Sequence, residues 1–222
     1  MQKFTDSEIF AVIEKTALIP VFNHNNPEVS KQVLDACYAA GLRLFEFTNR
    51  RASAFEVFKD LSEHARQYRD LVLGAGTIFT RADAIKFHDF GARFVVSPAL
   101  VPEMAAINHI DELMWVPGCG TVSEVYQAHR MGAKLVKVFP GNVLGPDFVK
   151  SVKDVLPAVP LMPTGGVSPT RENLLAWFGA GVTCVGMGSQ LVPKDLLAAG
   201  DYEALKTHIQ KAVSLVQAVR KS

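Results

Sequence analysis

Two charged side chains stand in runs that otherwise have the composition of buried strands. Lys137 interrupts LVKVFPG (135–141), and Glu46 interrupts LRLFEFT (42–48). Leu, Val and Phe dominate both runs, as in strands that pack on both faces. Side chains alternate along a strand, so Lys137 shares a face with Phe139, and Val136 and Val138 take the other. By the same parity Glu46 sides with Leu44 and Thr48, opposite Phe45 and Phe47. An inward ammonium and an inward carboxylate form either a self-satisfied ion pair or a reactive pair. The first seldom improves on apolar packing. In the second, a desolvated lysine has a lowered pKa and attacks a carbonyl carbon as the free amine. The carboxylate then handles protons, although its charge favours the ammonium. Burial and Arg50, four residues after Glu46, act in the opposite direction.

A second group of residues suits an anion. PTGG (163–166) and GMGS (186–189) place glycines where backbone N–H groups can approach a ligand closely. Thr164, Gly165, Gly166, Gly188 and Ser189 are the candidate phosphate contacts. The alternative for such glycines is ordinary turn geometry.

The elements that position these residues recur as a pulse. Short apolar runs begin at 17, 42, 71, 94, 113, 135, 160 and 184, each followed by a helical pattern. The starts lie about 20 to 30 residues apart, the spacing of repeated βα units. Gly41, Gly91, Gly132 and Gly181 fall where four of the helices need a left-handed C-terminal cap. Eight units predict a closed (β/α)₈ barrel, since an open doubly wound sheet uses about five or six strands. SEIFAVIEKT (7–16) is an extra N-terminal helix, and 202–219 is the last helix of the outer ring. The whole chain, 1–222, reads as one barrel domain. In such barrels the active site lies at the C-terminal ends of the strands, with phosphate sites after strands seven and eight. Here those ends are small, polar or glycine-rich.

Composition excludes several classes. The formal net charge is +1, and no Lys/Arg run is long enough for a nucleic-acid or membrane patch. The partner is therefore a small molecule. Three cysteines without paired spacing argue for a reducing compartment. No apolar run reaches the roughly 18 residues of a membrane span, and the N-terminus lacks a signal-peptide pattern. The expected location is the cytoplasm. Six histidines show no HxH or HExxH spacing, so neither a metal nor another cofactor is expected.

Taken together, EFTNR (46–50), GAGT (74–77), VSPAL (96–100), PGCGT (117–121), KVFP (137–140), PTGG (163–166) and GMGSQLV (186–192) resemble the KDPG/KHG aldolase family. No one of these motifs is decisive, but their joint order and spacing are a strong signal. The resemblance implies a metal-independent class I aldolase, a carbon–carbon lyase. Its substrate would be 2-keto-3-deoxy-6-phosphogluconate (KDPG), cleaved to pyruvate and glyceraldehyde 3-phosphate. A second substrate would be 4-hydroxy-2-oxoglutarate, cleaved to pyruvate and glyoxylate. It further implies that Lys137 forms the Schiff base and Glu46 is the general acid/base. Arg50 and Thr77 would hold the pyruvate carboxylate, and Phe139 would pack against the pyruvyl methyl group. A homotrimer is implied as well. Many members carry a basic residue at the end of the first strand, where this chain has Asn23. Arg51 is expected at the surface, and Cys119 is expected to be structural. The alternatives kept are an aldolase for the epimeric 2-keto-3-deoxy-6-phosphogalactonate and a non-aldolase phosphosugar-binding barrel.

Overall fold

The computed structural model describes residues 4–110 and 113–221. The chain starts with helix α1 (Asp6–Thr16), closed at its N-terminus by a capping box. Thr5 accepts from the Glu8 N–H, and the Glu8 carboxylate accepts from the Thr5 N–H at 2.8 Å. Strands and helices then alternate: β1 (Leu18–Phe22), α2 (Pro27–Ala39), β2 (Leu44–Thr48), α3 (Ala54–Ala65), β3 (Val72–Gly76), α4 (Arg81–Asp89) and β4 (Phe94–Val96). After a 3₁₀ helix (Pro102–His109) come β5 (Met114–Val116), β6 (Gly118–Cys119), α5 (Val122–Arg130), β7 (Val136–Val138), α6 (Gly141–Val155), β8 (Leu161–Pro163) and α7 (Arg171–Gly179). The chain closes with β9 (Val185–Met187), α8 (Lys194–Ala199) and α9 (Tyr202–Val219).

All the strand pairs are parallel. Six strands run in the order β5-β4-β3-β2-β1-β9, and three in the order β6-β7-β8. The two groups meet twice. Thr164, next to β8, bridges to Gly186 of β9. At the other junction β5 and β6 are one extended segment interrupted by Pro117, which has no N–H to donate. Its carbonyl accepts from the Lys137 N–H at 2.8 Å. The result is an α/β fold on a curled parallel sheet with helices outside. The apolar core fills both the curl and the sheet–helix layer.

The loops at the strand C-terminal ends are set by helix caps. Thr80, Thr121 and Thr170 begin α4, α5 and α7, each with its hydroxyl accepting from the N–H three residues on. Gly41, Gly91, Gly132 and Gly181 have φ between 88° and 105°, as the helix-end pattern predicts. Two elements differ from the sequence pattern. Pro98 and Pro102 disfavour helix in the residues before them, and the connection from β4 to β5 makes only a 3₁₀ helix. Helix α6 is broken at Gly145 (φ 71°, ψ 173°), directly before Pro146.

Register sets the inward layers. Val21 lies opposite Glu46, Glu46 opposite Gly74, and Gly74 opposite Phe94. One step up, Thr48 pairs with Gly76 and Gly76 with Val96. Across the other group Gly118 faces Lys137, and Lys137 faces Met162. Phe47, of opposite parity, packs on Phe58 of helix α3.

Candidate active site

Lys137 comes from the middle of β7 and is 2% exposed; Glu46 comes from the middle of β2 and is fully buried. Burial pushes the Lys137 ammonium below its ordinary pKa, opposed by the Glu46 charge and reinforced by Arg50. Burial pushes the Glu46 carboxyl above its ordinary pKa, and the charges of Lys137 and Arg50 partly offset it. Both shifts favour the neutral forms. Both Glu46 oxygens are buried without a hydrogen-bond partner. A carboxyl left this way in a core is costly, and it is a common mark of a group kept for chemistry. The Lys137 Nζ lies 4.9 Å from the centroid of the half-buried Phe139 ring, which occupies the next inward position.

Space for the Glu46 carboxyl is made by Gly76. A Cβ there would lie 1.9 Å from Oε1. Gly76→Ala is therefore expected to displace the carboxyl and lower turnover about a hundredfold. Steady-state kinetics with a circular dichroism check on folding measures it. Gly74 does the same for the neighbouring layer, where the Phe94 ring fills the vacated volume.

Arg50 stands just past β2, and its Nε donates to Thr77 Oγ1 at 3.3 Å. Thr77 has φ 61°, a conformation that a β-branched residue rarely adopts. Such a residue costs about 1–3 kcal/mol and persists where the surroundings hold it. Here it turns the hydroxyl toward the guanidinium.

Above these residues opens a cavity of about 510 Å³ at the strand ends. Arg50, Phe139, Thr164, Gly165, Gly166, Gly188 and Ser189 all lie in its wall. Lys137 and Glu46 sit one layer deeper on the strands that lead to Phe139 and Thr48, and Thr77 stands beside the wall, bonded to Arg50. Gly165 and Gly166 have φ 91° and 71°, and a Cβ on Gly166 would come within 2.8 Å of Asn142 Cα. The loop after β8 thus presents bare backbone to the cavity. Thr164 Oγ1 is buried and unpartnered, 2.4 Å from where a Cβ on Gly186 would sit. All ten residues singled out from the sequence therefore lie in this one region.

The profile of the KDPG and KHG aldolase family matches residues 9–208. The chain belongs to that family. A 2-dehydro-3-deoxy-phosphogluconate aldolase of Treponema pallidum is 30% identical, with 94% of this chain and 97% of that protein covered. A KHG/KDPG aldolase of Escherichia coli is 29% identical, covering 91% and 93%. Among solved structures, a KDPG aldolase of Legionella pneumophila superposes with a TM-score of 0.82 at 29% identity, covering 92% and 97%. That structure holds pyruvate captured as a covalent carbinolamine intermediate.

Within this aldolase fold, several features around the site escaped the sequence reading. The Gly74-x-Gly76 alternation, legible as two glycines on one strand face, marks the hollow for Glu46. Arg51 is exposed, as expected, yet its Nε donates to Asn23 Oδ1 at 3.2 Å, so it is tied to the rim of the cavity. Asn142 packs on the Gly165–Gly166 loop and has no motif to announce it. Cys119 is buried, and its thiol is pushed up to about 12 by burial and by Glu124. It is held as the unreactive thiol. Among the described residues no three His, Cys, Asp or Glu side chains gather as a metal ion requires. No helix among them is long and apolar enough to cross a membrane.

Proposed function

We propose that this chain is a class I aldolase that cleaves KDPG to pyruvate and glyceraldehyde 3-phosphate, and also accepts 4-hydroxy-2-oxoglutarate. The observation that carries the reading is the buried Lys137, its pKa lowered, coupled to a buried carboxyl with no structural partner. Lys137 attacks the C2 ketone as free amine and forms a carbinolamine. The neutral Glu46 carboxyl donates a proton to the departing hydroxyl, and loss of water leaves the iminium. Glu46, now a carboxylate, takes the proton of the C4 hydroxyl. The C3–C4 bond breaks, its electrons flow into the iminium, and the aldehyde leaves an enamine of pyruvate. Protonation at C3 and hydrolysis release pyruvate and restore the amine.

Arg50 and Thr77 hold the C1 carboxylate, for which a guanidinium is suited. Phe139 packs against the methyl group and shields the enamine from water. Thr164, Gly165, Gly166, Gly188 and Ser189 bind the terminal phosphate through backbone N–H groups and hydroxyls. The fold is a single closed (β/α)₈ barrel over 1–222, which the strand order and the Thr164–Gly186 bridge support. It works as a homotrimer. Phe79, Tyr126 and Val143, exposed close after strand ends, are apolar side chains for an interface to cover. The site is a cytoplasmic small-molecule site without a cofactor.

Release of pyruvate from KDPG, read by coupled lactate dehydrogenase, tests the activity. No release from folded protein at high substrate sinks the reading. Arg50→Ala is expected to weaken pyruvate binding about 10- to 100-fold, the size of a charge-assisted contact. The pyruvate dependence of borohydride trapping measures it, and an unchanged midpoint removes Arg50 from the carboxylate site.

A further inference from the structure

The cavity wall holds a second cation that no motif announces. Lys194 opens α8 directly after Pro193 and lines the same cavity as Gly165, Gly166, Gly188 and Ser189. It is exposed, and among the described residues nothing hydrogen-bonds or ion-pairs with its ammonium. Arg50, the other cation in the wall, is engaged at the inner end by Thr77 and by its coupling to Glu46 and Lys137. No aspartate or glutamate lines the cavity. At the first-strand rim Asn23 is itself uncharged: it accepts from Arg51, whose guanidinium stands outside the wall and is tied there, and donates its Nδ2–H to the Thr48 carbonyl at 3.3 Å. The cavity wall therefore combines bare glycine backbone with the unpartnered ammonium of Lys194.

We propose that Lys194 binds the terminal phosphate of the substrate and sets the preference for a phosphorylated keto acid over an unphosphorylated one. The proposal rests on the reading of the two glycine loops as a phosphate site. Backbone N–H groups fix the position of a phosphate, and a lysine contributes a mobile point charge with three donors. At neutral pH the ligand is largely the dianion, since the second phosphate pKa is about 6. Lys194 comes from α8, which follows β9, the strand paired with β1, whose end carries the uncharged Asn23. It acts as a specificity residue and takes no part in the proton transfers around Lys137.

The test compares KDPG with its unphosphorylated analogue, 2-keto-3-deoxygluconate, on the wild-type protein and on Lys194→Ala, Lys194→Glu and Lys194→Arg. A charge-assisted hydrogen bond at an exposed site corresponds to about a tenfold change. KM for KDPG is expected to rise about tenfold in the alanine variant and further in the glutamate variant, and to stay near wild type in the arginine variant. The kcat for KDPG and the KM for the unphosphorylated analogue stay within about twofold, the range of neutral surface changes. Inorganic phosphate, used as a competitive inhibitor, weakens in parallel with the KDPG effect. An alanine variant with unchanged KM for KDPG overturns the role of Lys194, and wild-type preference for KDPG then leaves the phosphate loops standing. An equal rise in KM for both substrates also overturns it. A wild-type protein that does not distinguish the two substrates removes the phosphate reading and the proposal together.

Discussion

Lys137→Ala is expected to lower turnover of KDPG by about 10⁴-fold or more, the scale on which removal of a covalent nucleophile acts. It is also expected to abolish the adduct that borohydride forms with pyruvate. In the wild-type protein, reduction of the iminium leaves a stable secondary amine, and peptide mapping places it on Lys137. The expectation follows from the surroundings of the amine. At 2% exposure the ammonium loses most of its hydration, and burial outweighs the nearby carboxylate in setting the direction of its pKa. An ordinary surface lysine is almost wholly protonated at neutral pH and cannot attack a ketone. The depression here raises the free-amine fraction. Folding of the variant is checked by competition with inorganic phosphate, whose loops do not include Lys137. A variant that folds, binds phosphate and still turns over at more than about a hundredth of the wild-type rate removes the Schiff-base mechanism. A wild-type adduct on any other lysine does the same.

Glu46→Gln is expected to lower kcat by about 10²- to 10⁴-fold, the usual contribution of a positioned acid/base. Some trapping by pyruvate and borohydride should persist, because the amine is still present. That separation distinguishes a proton-transfer role from collapse of the site. A second readout comes from stability. The Glu46 carboxyl has a folded pKa raised above its ordinary value of 4.5. Its contribution is therefore fully present below 4.5 and lost as pH rises through the folded value. Glutamine carries no such titration. The thermal midpoint of the wild-type protein should fall relative to the variant as pH rises from 4.5 into the neutral range. A constant difference between the two across that range overturns the raised pKa. A kcat within about fivefold of wild type removes Glu46 from the proton-transfer steps.

The α/β class and its curled parallel sheet were legible because the strands are short, apolar and regularly spaced, and because glycines punctuate the helix ends. The last helix was placed at 202–219 and runs over Tyr202–Val219. Lys137 and Glu46 were legible for a simple reason: a charge in a strand of Leu, Val and Phe violates its surroundings and has to be explained. The 3₁₀ helix after β4 was not foreseen, since a helical pattern without length fails to separate it from an α-helix. Arg51 was placed at the surface by alternation alone. Its bond to Asn23 depends on how two loops from neighbouring strands meet, and a linear pattern carries no such distance. Lys194 was missed for the same reason. A lysine after a proline on a short helix looks like any solvent-facing charge until the curl of the sheet brings the loops after β8 and β9 beside it.

The hollow at Gly76 also bears on how this sequence can drift. Glu46 and Gly76 share one volume from adjacent strands: a methyl group on residue 76 would lie 1.9 Å from the Glu46 Oε1. Neither position can change alone without loss. A larger residue at 76 expels the carboxyl, and a shorter acid at 46 leaves a void and draws the carboxyl back toward its own strand. Viable replacements are therefore paired ones, reached through an intermediate that is poorer than either end. In any set of homologous chains the two positions should co-vary, with a glycine at the second wherever the first keeps its glutamate.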